Sequence, residues 1–100
     1  MSELVVSPFG VLVRLTDERW QHAVESHQEL RDLKRDVLRT VGDPEKVVAG
    51  RAGELLAVRQ HEPGIWLVVV YRELDSDGFF ITAFLTSRTQ ALEKRQQIWP

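Results

Sequence analysis

The chain has 100 residues, is 43% hydrophobic and 28% charged, and carries a net charge of −2 with no cysteine. This length supports one hydrophobic core, so residues 1–100 are expected to form a single domain with its core over about residues 10–99. The composition excludes disulfides and thiolate metal sites, gives no overall positive field for nucleic acid, and offers no run of about 18 uncharged apolar residues to span a membrane. The start "MSELVVSPFG" has neither a basic leader nor a long apolar run and does not read as a signal peptide, so the expected location is cytoplasmic. Ten Arg stand against three Lys. Arginine suits bidentate phosphate recognition, although a high-GC genome produces the same bias.

In chain order, "VSPFGVLVRL" reads as an irregular start followed by a strand near residues 10–15. "TDERWQHAVESH" reads as a helix capped by Thr16 or Asp17, with Asp17 and Glu18 suited to its positive end. "LRDLKRDVLRTV" is a second helix, because Leu30, Leu33, Val37, Leu38 and Val41 form one apolar stripe. Gly42 ends it, and "GDP" begins a turn. Three strands follow at 54–61, 65–74 and 78–86, separated by "EPG" and "DSDG", both good hairpin connections. The tail "TQALEKRQQIWP" reads as a short helix, with Leu92 and Trp99 placed to fold back. The order β-α-α-β-β-β-(α) predicts an α+β domain with helices packed on one face of an antiparallel sheet.

The turn lengths predict a register. His61 opposite Ile65 sets Val58 against Val68 and Leu56 against Val70, while Leu74 opposite Phe79 sets Arg72 against Ile81, Val70 against Ala83 and Val68 against Leu85. Alternation then gives two faces. Leu56, Val58, Trp66, Val68, Val70, Phe79, Ile81, Ala83 and Leu85 are expected to take the helices. Leu55, Ala57, Arg59, His61, Leu67, Val69, Tyr71, Phe80, Thr82, Phe84 and Thr86 are expected on the open face, with Tyr71 beside Thr82 and Leu67 between Arg59 and Thr86. Hydroxyls, a guanidinium and aromatics on an open sheet suit a flat or stranded polar ligand. Thr and Tyr are equally ordinary strand residues.

His22 and His27 differ by five positions, about 140° around a helix, so they do not form an i, i+4 metal pair, and no zinc site or other metal is expected. On a continuous helix His27 shares a face with Trp20, Ala23 and Val24 and points inward, while His22 lies elsewhere. His61 reads as a turn residue. "GRAGE" sets Arg51 in a Gly-flanked turn from which it can reach a phosphate, and Arg88 follows the last strand. Glu93, Lys94 and Arg95 read as a mixed-charge solvated face. No phosphate loop, nucleophile elbow or dinucleotide fingerprint is present, and no cofactor is expected.

The succession "RWQHAVESHQEL", "VGDPEKVV", "LLAVRQ", "WLVVVYREL", "FFITAFLTSR" and a charged tail resembles the small nucleases of the barnase, EndoU, colicin and RelE superfamily (the BECR fold), especially its phage-associated and BrnT-like toxin branches. The resemblance spans roughly residues 14 to 99. It implies a RelE/barnase-like fold and metal-independent endoribonuclease chemistry, in which a ribose 2′-hydroxyl attacks the neighbouring phosphate with help from acid–base groups and cations. Matched by position, His22, His27, Arg59 and Thr82 take the catalytic places. Arg51, Tyr71, Thr86 and Arg88 take substrate-binding ones, Arg51 and Arg88 holding phosphates and Tyr71 stacking on a base. RNA is the implied substrate, and an antitoxin or other protein the implied partner of a monomer or homodimer. The acidic net charge departs from the family, so RNA is expected to bind through an arginine cluster rather than a basic surface. The alternative expectation is a non-catalytic protein-binding or dimerising domain of the same fold.

Overall fold

Thr16 ends the second strand and starts the first helix. Its Oγ1 accepts the Arg19 N–H at 3.2 Å, and Asp17 and Glu18 occupy the first turn. In the computed structural model, which describes residues 2–100, this junction belongs to β1 (Ser2–Val6), β2 (Leu12–Thr16) and α1 (Asp17–Ser26). A 3₁₀ turn (Gln28–Leu30), α2 (Lys34–Gly42), β3 (Lys46–Ala49), β4 (Leu55–Glu62), β5 (Ile65–Leu74), β6 (Asp77–Thr86), α3 (Gln90–Glu93) and β7 (Gln97–Trp99) follow. The protein is an α+β domain built on one seven-stranded sheet of order β1-β2-β6-β5-β4-β3-β7. Every neighbouring pair is antiparallel except β2 and β6.

The apolar stripe predicted for the second helix is buried at Leu30, Val37 and Val41. Leu30 reaches the core from the 3₁₀ turn, because α2 begins only at Lys34. The N-terminal segment is irregular over residues 7–11, as expected, but residues 2–6 before it form a strand that the sequence reading does not predict. Val5 packs against the core while Leu4 and Val6 face out, which is the alternation of a half-buried edge strand. β3 and β7 were also not expected as strands. Each is only three or four residues long and is specified by its sheet neighbours more than by its own pattern.

Val58 pairs with Val68 and Leu56 with Val70, as the "EPG" turn predicts, but Ile65 pairs with Glu62 and not with His61, because the register shifts by one residue between Gln60 and Glu62. The second hairpin is tighter than predicted. Asp75, at φ 55°, and Ser76 alone make the turn, so Leu74 pairs with Asp77 and Arg72 with Phe79. A bulge at Ile81 then shifts the register, and Val70 meets Thr82 while Val68 meets Phe84. The extra residue exchanges the two faces of β6 beyond that point.

The helices occupy the face opposite to the one expected. α1 and α2 pack with Val13, Leu15, Ala57, Leu67, Val69, Tyr71, Phe80 and Ala83. The other face, called outer here, carries Val48, Leu56, Val58, Val68, Val70, Trp66 and Phe84, and α3 lays Leu92 against it. Both faces are apolar at their centres, so counting apolar residues does not decide between them. Arg59 is accommodated on the helix side by reaching out to Asp43 just beyond α2. The outer face stays open towards β1, where Leu4, Val6, Leu12 and Leu74 are exposed.

Tyr71 is fully enclosed, so it does not stack on a base. Its hydroxyl has no hydrogen-bond partner among the described residues, and burial, then the Glu73 charge, pushes its pKa well above the ordinary tyrosine value. Nearby, the buried Ser7 Oγ donates to Glu73 Oε2 at 2.6 Å and accepts the Phe9 and Val11 N–H groups. Tyr71→Phe is therefore expected to leave the urea midpoint unchanged or raise it, because no bond is lost. Ser7→Ala should lower stability by about 2 kcal/mol, the range for a hydrogen bond to a charged group. A clear loss of stability in Tyr71→Phe would show that the hydroxyl is satisfied.

Candidate nucleic-acid interface

The loop "GRAGE" between β3 and β4 is folded around its own glutamate. The Glu54 carboxylate accepts the Ala52 N–H at 2.7 Å, and Gly50 N–H bonds the Glu54 carbonyl at 2.7 Å. A Cβ on Gly50 would collide with the Glu54 side chain, so a larger residue there would displace that carboxylate from the loop. Backbone N–H groups, then Arg72 and Arg95, hold the Glu54 carboxyl below its usual range. Arg72 Nη2 donates to the Ala52 carbonyl at 2.7 Å, and Arg95 Nη1 donates to the Ala49 carbonyl at 3.2 Å. These contacts hold the loop so that Arg51 projects from it, exposed.

Opposite this loop the chain leaves β6. The Arg88 N–H bonds Thr86 Oγ1 at 3.0 Å, which turns the backbone into "SRTQ" and the short α3. Arg51, Ser87, Arg88, Thr89, Gln90, Ala91, Lys94 and Arg95 together line an open groove of about 750 Å³. Four cations and no carboxylate line it, in a chain whose net charge is −2. Among the described residues none of the four forms an ion pair. Hydroxyl and amide donors stand between them. Such a groove attracts a polyanion, and its planar guanidinium groups match phosphate oxygens.

No family model, curated protein or solved structure matches the chain.

Arg51 and Arg88, expected separately as phosphate contacts, share this groove, and Thr86 anchors its entrance. Lys94 and Arg95 belong to it too. They looked like part of a mixed-charge face because Glu93 precedes them, but Glu93 lines a different cavity with Glu45, Lys46 and Trp66. The separating signal is the helical turn itself, which places neighbours in sequence on different sides.

The four residues expected to be catalytic are divided. Arg59 pairs with Leu67 on the helix face, and its Nη1 donates to the Asp43 carbonyl and meets Asp43 Oδ2 at 3.3 Å. Thr82 pairs with Val70 on the outer face. β4 also lies two strands from β6, about 10 Å away. Arg59 and Thr82 thus do not share a substrate. His22 is exposed and lines a shallow cavity with Thr16, Glu18, Arg19 and Ile81.

His27 differs from the helical-wheel expectation. α1 ends at Ser26, and His27 adopts φ −137°, ψ 82°, so the ring leaves the Trp20–Val24 face. β2 pairs with β6 only at Asp77–Phe79, and α1 and the 3₁₀ turn after it both touch β6. There the His27 ring sits 6.3 Å from the Phe84 ring, and its Nδ1 is 3.6 Å from Glu29 Oε2. Phe84, Thr82 and Thr86 alternate on the same outer face. His27 is therefore the histidine that reaches the open sheet. Among the described residues no group of three or more His, Asp or Glu is arranged to hold a metal ion.

Proposed function

We propose that the chain is a ribonuclease-like domain that holds single-stranded RNA, with phosphates in the Arg51–Arg88–Lys94–Arg95 groove and His27 as its proton-transfer group. The groove of four cations, none in an ion pair among the described residues, in an acidic chain is the observation that carries this reading. It fits RNA held by an arginine cluster, which an acidic member of the RelE/barnase-like superfamily would need. The outer face adds half-buried aromatics and hydroxyls, at Trp66, Phe84, Thr82 and Thr86, beside the groove.

In this reading a ribose O2′ attacks the adjacent phosphorus and loses its proton. The P–O5′ bond breaks, O5′ gains a proton, and the products are a 2′,3′-cyclic phosphate and a free 5′-hydroxyl. His27 exchanges protons at this centre, and the groove guanidinium groups stabilise charge on the phosphorane. A toxin-like or phage-associated role, with an antitoxin or other protein partner, extends the same reading.

The test uses purified protein, single-stranded RNA and a chelator. Binding should weaken with salt at a log–log slope near −3 for about four phosphate contacts. Cleavage should fall about a hundredfold or more in His27→Ala and persist in His22→Ala. Absence of salt-sensitive binding would overturn the proposal. Binding without cleavage in any form would reduce it to an RNA-binding domain. The alternative of a dimerising or protein-binding domain draws on exposed Leu4, Val6, Leu12 and Leu74, and would show a concentration-dependent mass with no RNA affinity.

A further inference from the structure

A second feature of the outer face lies at the start of β6, on the side of the sheet where Arg72 holds the Arg51 loop of the groove. Phe79 stands in a lateral row between Arg14 on β2 and Arg72 on β5. Two of the three arginines around its ring are engaged. Arg14 Nη2 bonds Asp77 Oδ1 at 2.6 Å, and Arg72 bonds the Ala52 carbonyl. The third, Arg19, lies over the ring, with Cζ 5.2 Å from the centroid. Its guanidinium makes no hydrogen bond or ion pair among the described residues. Two cavities of about 240 and 450 Å³ meet at Thr16 and Arg19, so the guanidinium is open to both.

The surroundings indicate which part of a nucleic acid this place would take. Asp77 lines one cavity and Glu18 the other, which disfavours a phosphate. A planar cation already stacked on an aromatic ring offers its free face to another flat, neutral group. Resting on the RNA-binding reading, we infer that Arg19, supported by Phe79, is a nucleobase-stacking subsite. It would bind a base of the same strand whose phosphates occupy the basic groove. Thr86, which anchors Arg88 at one side of the groove, lies about 20 Å along β6 from Phe79, whereas Arg51 at the other side is nearer, next to the Ala52 carbonyl that Arg72 holds. A strand that fills the whole groove and this subsite then extends over on the order of four nucleotides, the lower end of common single-strand site sizes. The preferred substrate is a short single-stranded oligonucleotide rather than a mononucleotide, a dinucleotide or a duplex.

The test compares an octauridylate, a diuridylate and an octamer carrying abasic residues at its ends. Arg19→Ala should weaken octamer binding about tenfold, the size of one base stack, and leave the dinucleotide unaffected. Arg19→Lys should behave like Arg19→Ala, because it keeps the charge but loses the plane. The abasic octamer should bind the native protein as weakly as the normal octamer binds Arg19→Ala, with little further loss in the variant. The salt slope should not change. Full retention of octamer affinity in Arg19→Ala would overturn the inference, as would rescue by lysine or a slope reduced by about 0.7, the mark of a phosphate contact. Either result with groove-dependent binding intact leaves the RNA reading standing. Loss of all RNA binding in the native protein removes both.

Discussion

Replacing Arg51 and Arg88 together by alanine is expected to lower affinity for single-stranded RNA about a hundredfold at low salt, with each single change costing about tenfold, the usual scale for charge-assisted contacts. Both side chains are exposed and line the groove from opposite walls, one on the β3–β4 loop and one beyond β6. Neither forms an ion pair among the described residues, so their removal leaves no buried partner charge. Thermal stability should stay within about 0.5 kcal/mol of the native protein, as for surface changes away from structural contacts. The log–log salt slope should shrink by about 1.4, two phosphate contacts at single-strand charge density. Fluorescence anisotropy across a salt series measures both quantities. An unchanged slope would mean that RNA, if bound, lies elsewhere.

The second large effect concerns Gly78. Here β6 receives β2, and a Cβ would sit 3.0 Å from Val13 Cγ2, 3.2 Å from the Leu12 carbonyl oxygen and 3.3 Å from Val13 Cα. Two of these three atoms are backbone, so the strands themselves would have to part. Gly78→Val is expected to destabilise the fold by about 3 kcal/mol, at the upper end of overpacking costs, and to lower Tm by roughly 15 °C for a domain of this size. Gly78→Ala should cost less than half of that. Parting β2 from β6 would also shift α1, which begins where β2 ends, and with it Arg19 and His27. Calorimetry of the two variants tests the ranking. Equal, small losses would show that the strands separate easily.

The chain's α+β class, the order of its central elements and one of its two hairpin registers could be read from periodicity and turn residues. The "EPG" turn set Val58 against Val68 because nothing disturbs that ladder at its centre. The other hairpin went astray by a turn two residues shorter and a bulge at Ile81, and neither leaves a mark in a run as uniformly apolar as "GFFITAFLT". The burial of Tyr71, and its separation from Thr82 onto the opposite face, follow from that difference and from the choice of face. Arg51 and Arg88 were legible because one follows a glycine in a loop and the other ends a strand. Their meeting was not, since it depends on how the 50–54 loop closes on Glu54 and how α3 turns. His27 was misplaced because the helical wheel was extended one residue beyond the helix.

The parallel pairing of β2 with β6 joins residue 12 to residue 77, the longest-range of the sheet's strand pairings, longer than that of the terminal strand β7 with β3. Loop-closure entropy makes such a contact late to form, whereas the β4–β5–β6 meander needs only short turns. Arg19 in α1 and His27 just after it follow the N-terminal hairpin in the chain, so they reach Phe79 and Phe84 only when it docks. The basic groove draws on none of that hairpin. On the proposed reading, a chain with β3 to α3 in place and the hairpin still loose would already hold a strand of phosphates, but it would lack the histidine and the stacking arginine. Recognition of charge would thus precede the assembly of anything that could act on what was caught.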